Sequence, residues 1–287
     1  MGTSQSSGGP GSGVAMVPAW VDEPPAGEPP ADGDAPPADP ETEPEAPENA
    51  PPNPAPPPPV PVAPPARFLG VRRALGDFAR SGDGADMRRG LGHYVRTGYG
   101  GSGTAARRMG GTAATAGALH GALSSVAAGQ PAAPGSPLDP ALLAGRSVQE
   151  VMDAVVEAVR PVDGTQDAEA ARAAIRDALS ELLTRFPAAD LLNLDAEQRA
   201  FAIERYTAMD VFRRFDLDVG KTIRDRAPTA TTALSRLKQV RDYVRETVAA
   251  SFRRLRDGGR AMTADRVSQV VRDALRETFQ VFEGYAE

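Results

Sequence analysis

Residues 72–84 read RRALGDFARSGDG and residues 88–100 read RRGLGHYVRTGYG, so one pattern occurs twice at an interval of sixteen positions. Seven of the thirteen positions are identical, and four more exchange similar residues. Apolar residues recur at helical spacing in each copy, which predicts one short amphipathic helix per copy. The faces that we expect to be buried comprise Phe68, Val71, Leu75 and Phe78 in the first copy, and Met87, Leu91, Tyr94 and Val95 in the second.

Glycines fall at matching places in the two copies. We expect Gly82 and Gly98 to end the helices in the left-handed conformation that glycine adopts without strain. Gly76 and Gly92 lie inside the helices instead, where glycine lowers helix stability. Another backbone that approaches closely at these positions would explain why glycine is present. A third helix, rich in small residues, is predicted from Thr104 to Ala128.

Beyond residue 137 the apolar residues follow ordinary amphipathic helices. Capping boxes at Ser147 with Glu150 and at Asp195 with Gln198 mark two helix starts. No segment alternates apolar and polar residues for long enough to indicate a sheet, so the sequence predicts an all-α fold, a helical bundle. The expected helices run from Ser147 to Pro161, from Asp167 to Phe186, from Asp195 to Phe215 with an extension to Ala227 left open, from Thr229 to Arg256, and from Thr263 to Phe282.

The N-terminal part has a different composition. Twenty-one of the 28 prolines precede residue 67, and residues 1–66 contain ten acidic residues and no basic one. Such a composition favours an extended, disordered chain. The predicted organisation is a flexible N-terminus with an apolar anchor (1–21), a disordered Pro-rich acidic spacer (22–66), a basic Gly/Arg helical repeat region (67–130) and an amphipathic helical domain (138–287).

Two features of residues 1–21 predict contacts or chemistry. Trp20, the only tryptophan, follows Val14, Met16 and Val17, and we interpret it as a docking anchor for this chain or for a partner. Met1 precedes the small residue Gly2, so its removal would leave an unhindered α-amine. About a tenth of that amine is unprotonated at pH 7, against about one in two thousand for a lysine.

Composition excludes several kinds of site. The chain has no cysteine and only two histidines, His93 and His120, neither with a partner at metal-ligand spacing. We therefore expect no catalytic residue, no metal and no cofactor. The run from Met109 to Leu138 is too weakly apolar to span a bilayer, and no signal peptide is recognisable. These features indicate a cytoplasmic protein with no membrane contact.

The repeat region carries nine arginines and three aspartates. Arg72, Arg73, Arg88 and Arg89 form doublets that could contact phosphates. The aspartates interrupt this charge, and the acidic spacer would compete for the same arginines, so we do not expect nucleic acid as a partner. We predict instead that these four residues form a docking site for an anion or a partner protein.

The opening MGTSQSSGGPGSG, the patch VPAWV and the two repeats with the following GSGTAARRMGGTA resemble QatB, the B component of the bacterial Qat anti-phage defence system. The resemblance rests on residues 1–21 and 67–128. It implies a non-enzymatic protein that associates with a QueC-like (QatC-type) enzyme of deazaguanine chemistry, with an ATPase and a TatD-like nuclease as further components.

Enzymes of the QueC type join an activated deazaguanine carboxylate to an amine. The resemblance and the free amine together lead to the hypothesis that Gly2 is conjugated to a deazaguanine, with Thr3 and Ser4 positioning the tail and Trp20 anchoring it. Two alternatives stay open: a nucleic-acid-binding adaptor for the defence nuclease, and a purely structural scaffold.

Overall fold

The computed structural model describes residues 66–130 and 132–286, and the predictions for residues 1–65 lie outside this range. Every regular element of the described residues is helical, which confirms the predicted all-α fold. The helices are α1 (Leu69–Ser81), α2 (Gly84–His93), α3 (Ser102–Arg108), α4 (Gly110–Ala127), α5 (Pro140–Leu143), α6 (Val148–Val159), α7 (Gln166–Arg185), α8 (Ala196–Phe215), α9 (Lys221–Arg226), α10 (Ala230–Asp257) and α11 (Val267–Glu283). A π-helical turn extends α2 over Tyr94–Gly98, a second joins α8 to α9 over Asp216–Gly220, and a 3₁₀ turn closes the chain at Gly284–Ala286.

The two copies of the repeat form the helical hairpin α1–α2. All eight apolar residues predicted for its inner face are buried. Gly82 ends α1 with φ 78°, and its N–H donates to the Phe78 carbonyl at 2.7 Å, as predicted. Asp83 then opens α2 by accepting a hydrogen bond from the Ala85 N–H at 2.9 Å.

The prediction that Gly98 ends the second helix in the left-handed conformation is wrong. The π-helical turn carries the chain through Gly98, and the positive φ values occur at Gly100 (77°) and Gly101 (103°). Gly98 is small for a packing reason, because a Cβ atom there would lie 2.8 Å from the Phe68 ring.

Gly92 and Gly76 differ although they hold equivalent positions. A Cβ atom at Gly92 would lie 2.5 Å from the backbone nitrogen of Ala286, which confirms the expected close approach of another backbone. At Gly76 the expectation is wrong, since the nearest atom is the Arg226 Cγ at 3.7 Å. Only the second copy packs against the C-terminal turn.

The predicted small-residue helix is divided at Met109, where ψ of 18° ends α3 and α4 begins. Both predicted capping boxes are present, at the starts of α6 and α8. The last helix begins at Val267, because residues 263–266 form turns instead of the predicted first helical turn.

One hydrophobic core joins side chains from Phe68 to Phe282. Helix α8 packs against α4, α7 and α10, while α11 packs against α3, α4 and α10, and α1 packs against α9. Residues on both sides of the predicted boundary between 130 and 138 therefore share this core. Their status as separate domains stays a prediction.

Candidate functional site

The predicted N-terminal site residues Gly2, Thr3, Ser4 and Trp20 lie outside the described residues. The predicted docking arginines lie on the α1–α2 hairpin, with Arg72 half-buried and Arg73, Arg88 and Arg89 exposed. The described part of the chain thus holds the predicted docking face but not the predicted modification site.

The hairpin brings Arg73 and Arg89 to one hollow of about 380 Å³, lined also by Gly70, Ala74, Asp77 and His93. Arg72 and Arg88 do not line it. Arg89 contacts the Asp86 carboxylate at 3.2 Å. Burial, and then the charges of Arg89 and Arg96, lower the pKa of His93, so this imidazole is neutral at pH 7. The hollow thus brings two exposed arginines together beside Asp77 and a neutral imidazole, and anion binding there stays a prediction.

A buried polar cluster lies behind the hairpin, where the two π-helical turns meet. The hydroxyls of Tyr94 (2.8 Å) and Tyr99 both donate to the Oδ2 atom of Asp218. Burial raises the pKa of Asp218, although the two hydroxyl donors oppose the rise. Burial likewise raises the pKa of both tyrosines, and the neighbouring carboxylate adds to the effect.

Arg67 covers this cluster at the start of the described chain. Its side chain is only 6% exposed, and its nitrogen atoms make no hydrogen bond within the described residues. The guanidinium carbon lies 5.0 Å from the centroid of the Phe68 ring, a cation–π contact. Burial lowers the pKa of Arg67, whereas Tyr99 and Asp218 act in the opposite direction. The arginine thus supplies through-space compensation for the buried carboxylate.

A buried carboxylate, Asp210, lies on α8. It accepts a hydrogen bond from the Thr112 hydroxyl at 2.6 Å and thereby links α8 to α4. Arg214, one turn further along, donates to Asp167 at 3.1 Å and links α8 to α7. Burial opposes the charge of Arg214, but the carboxylates of Asp167 and Asp210 outweigh it and raise the arginine's pKa.

These groups line a cavity of about 520 Å³. The Tyr206 hydroxyl is buried in the wall of this cavity and forms no contact of hydrogen-bond geometry. Burial raises the pKa of Tyr206, and the nearby Thr115 hydroxyl partly opposes that rise. Three arginines and three aspartates balance each other there: Arg108, Arg160, Arg214, Asp163, Asp167 and Asp210. Because Asp163 and Asp167 are paired with Arg160 and Arg214, the cavity is a polar seam between helices.

The sequence reasoning missed both Asp210 and Asp218. The signal for Asp210 was its register, since it continues the face of α8 that includes the buried Ile203 and Tyr206. An acid in that register indicates a buried carboxylate with partners on other helices.

A family model described as "Qat anti-phage system associated protein QatB" matches residues 100–282, more than half of the chain. The chain belongs to the QatB family. The match begins just before α3 and ends within α11. Most of the residues that suggested the resemblance lie before residue 100, so the match supports it largely from other residues. QatB membership makes the protein a component of an anti-phage defence system. No curated protein and no solved structure matches the chain.

Two further findings concern the described residues alone. None of their helices is long and apolar enough to cross a membrane. They also contain no group of three or more His, Cys, Asp or Glu side chains that could hold a metal ion.

Proposed function

We propose that this QatB-family protein binds a QueC-like (QatC-type) enzyme of its defence system and supplies the nitrogen of Gly2 as the acceptor of a deazaguanine acyl group. Family membership combined with the N-terminal sequence Met1-Gly2-Thr3-Ser4 supports the proposal. The ATPase and the TatD-like nuclease of the system are further proposed partners.

The chain offers few competing amines. Its only lysines are Lys221 and Lys238. Lys238 donates a hydrogen bond to the Asp242 carboxylate at 2.6 Å. An α-amine, with its lower pKa, has a larger unprotonated fraction at pH 7 than a lysine amine does.

The proposed reaction is an acyl transfer. The partner enzyme activates the deazaguanine carboxylate, and the Gly2 nitrogen attacks the carbonyl carbon. The bond from that carbon to the activated oxygen breaks, the oxygen leaves with the activating group, and the nitrogen loses a proton. An amide forms without oxidation or reduction, so the protein gains the mass of the acid less one water.

Other residues have positioning roles in this proposal. Thr3 and Ser4 orient the tail inside the partner's active site, and Trp20 anchors the tail outside it. The exposed arginines Arg73, Arg88 and Arg89, together with the half-buried Arg72, provide the face on which the partner docks. The polar cluster of Tyr94, Tyr99 and Asp218 behind them ties that face to the rest of the bundle.

Intact-mass measurement after co-expression with the QueC-like enzyme tests the conjugation. We expect the added mass on the N-terminal peptide, and not on the peptides containing Lys221 or Lys238. Gly2→Ala still allows removal of Met1 and should be modified, whereas Gly2→Leu retains Met1 and should be neither modified nor protective against phage. An unmodified Gly2 beside an active partner enzyme would refute the proposal.

A further inference from the structure

A second surface feature lies away from the arginine hairpin. A groove of about 720 Å³ opens where the end of α7 and the start of α8 meet the end of α10 and the segment before α11. Its size is within the range of ligand pockets, about 300–1,000 Å³. Phe186 and Phe201 meet edge to face in the floor of this groove, with ring centroids 5.6 Å apart. The apolar residues lining the groove include Phe186, Phe201, Phe252, Met262 and Val270.

The rim of this groove is basic. Arg185, Arg253 and Arg256 line it without an ion pair to any acid of the described residues, whereas Arg260 is paired with Asp273. The acids of the lining are Glu197 and Glu204. Burial raises the pKa of Glu204, and the charges of Arg205, Arg253 and Arg256 oppose the rise. A ligand that suits this groove has an apolar group for the floor and carboxylates for the rim.

The N-terminal part of the chain has that chemistry. Residues 14–21 read VAMVPAWV, and Asp22 and Glu23 follow directly. We propose that this segment docks in the groove of its own chain, with the Trp20 indole on the phenylalanine floor and the two carboxylates facing Arg253 and Arg256. A tryptophan in a well-packed pocket, surrounded by contacts that exclude water, is the usual arrangement of an energetic hot spot.

The chain between the segment and the folded body is long enough for this contact. Forty-six residues separate Trp20 from Arg67. An extended Pro-rich chain covers up to about 3.1 Å per residue, or roughly 140 Å here, whereas a body of about 220 residues has a radius of gyration near 17 Å. The tether thus reaches any point on the surface of the body.

Tethering also makes a weak contact sufficient. A linker that spans the two sites gives an effective concentration of up to about 1 mM, so a segment with a Kd of about 0.1 mM would be docked up to about nine-tenths of the time. Docking would fix residues 14–21 on the body and leave residues 1–13 projecting from a defined place. The contact goes beyond the proposed function and does not depend on conjugation of Gly2.

The single tryptophan makes intrinsic fluorescence a specific probe of the full-length chain. We expect Trp20 to emit at shorter wavelength than a synthetic peptide of residues 14–30, and the acrylamide quenching constant to be about three- to tenfold lower than that of the peptide. Emission and quenching equal to those of the peptide would overturn the proposal. A blue shift that grows with protein concentration would also overturn it, because a second copy would then be the occupant.

Charge reversal locates the docking surface. The double variant Arg253→Glu/Arg256→Glu should raise the quenching constant about threefold, because carboxylates of the segment would then face carboxylates on the rim. The matched control Arg272→Glu/Arg276→Glu makes the same charge change at exposed positions of α11 outside the groove and should leave quenching unchanged. Equal effects of the two variants, or no effect of either, would show that Trp20 docks elsewhere or not at all.

Discussion

Asp210 and Asp218 show how single residues connect elements of the bundle: Asp218 links the hairpin region to the turn between α8 and α9, and Asp210 links α8 to α4. Asp218 accepts hydrogen bonds from two tyrosines that belong to the second copy of the repeat and the residues just after it. Asp210 accepts from Thr112 on α4. A buried carboxylate is costly unless such donors are in place, so each aspartate favours one arrangement of the helices over others. The two bonds of Asp218 thereby favour one position of the hairpin on the bundle.

Replacing Asp210 with asparagine should change how stability depends on pH. Burial raises the pKa of Asp210, outweighing the Thr112 hydrogen bond and the charge of Arg214. The folded protein therefore keeps this proton to a higher pH than the unfolded chain does. Relative to Asp210→Asn, the wild type should therefore lose stability as the pH rises from about 4, the ordinary aspartate pKa, to the raised pKa of the folded state. The loss should be about 1.4 kcal/mol for each pH unit between these two pKa values.

Denaturant unfolding of both proteins between pH 4 and pH 8 measures this difference. Subtracting the two curves removes the titration of the groups that they share. The amide oxygen of the introduced asparagine can still accept from the Thr112 hydroxyl, so the variant should fold. A difference that stays constant over this pH range would contradict the raised pKa.

Residue-scale features could be predicted from sequence where the cause is local. Gly82 was predictable because an amphipathic pattern stops immediately before it. The left-handed residue after α2 was misplaced, because the π-helical turn at Tyr94–Gly98 depends on the aromatic packing of Tyr94 and Tyr99 in the fold. The bonds of Asp218 to residues more than a hundred positions away depend on tertiary structure in the same way.

At the scale of elements, the two copies of the repeat have diverged in what they contact. Gly76→Ala should stabilise the protein by about 0.5–1 kcal/mol, because alanine suits a helix interior and the nearest atoms leave room for a methyl group. Gly92→Ala should destabilise it by about 1–3 kcal/mol, because the methyl group would overlap the backbone of the C-terminal turn.

Thermal or denaturant unfolding of the two variants compares equivalent positions, so each serves as the other's control. Opposite signs are expected. If both substitutions stabilised the protein, the close approach of the C-terminal turn to α2 would be refuted.

The start of α6 depends on a capping box that the sequence predicted. The Ser147 hydroxyl accepts from the Glu150 N–H at 3.3 Å, and the Glu150 carboxylate accepts from the Ser147 N–H at 2.9 Å. Ser147→Ala should lower the free energy of unfolding by about 1 kcal/mol. Ser235→Ala, at an exposed position within α10, makes the same chemical change without removing a cap and should not lower it. Equal losses in denaturant unfolding would show that the cap has no special role.

Hydrogen bonds from Ser147 and Arg146 lower the pKa of Glu150 to about 2, the backbone N–H of Ser147 having the largest effect. Its contribution to stability is therefore present above the ordinary glutamate pKa and is lost as the pH falls towards 2.

Caps of this kind were predictable from four consecutive residues. The division of the small-residue helix at Met109 was not, because alanine and glycine on both sides give no local signal for a break.

At the scale of the whole molecule, charge is unevenly distributed along the chain. Residues 1–66 have a net charge of −10, residues 67–130 of +6 and the remainder of −2. Residues 1–66 are therefore expected to be attracted to basic surfaces of the folded part of the chain. The α1–α2 hairpin that we propose for partner docking is one of these surfaces. Attraction between exposed charges of this kind weakens over a Debye length of about 8 Å at physiological salt.

Reversing the exposed hairpin charges should separate partner docking from nucleic-acid binding. Arg73→Glu/Arg88→Glu/Arg89→Glu keeps the half-buried Arg72 and should weaken the complex with the QueC-like enzyme at least tenfold, slowing conjugation of Gly2 while the protein stays folded. Arg266→Glu/Arg272→Glu/Arg276→Glu makes the same charge change at exposed positions around the start of α11 and should leave the affinity unchanged. Affinity by calorimetry and conjugation by intact mass are the measurements. If the hairpin variant bound the enzyme normally but lost a salt-dependent mobility shift of short duplex DNA that the wild type showed, the arginines would serve nucleic acid instead of the partner.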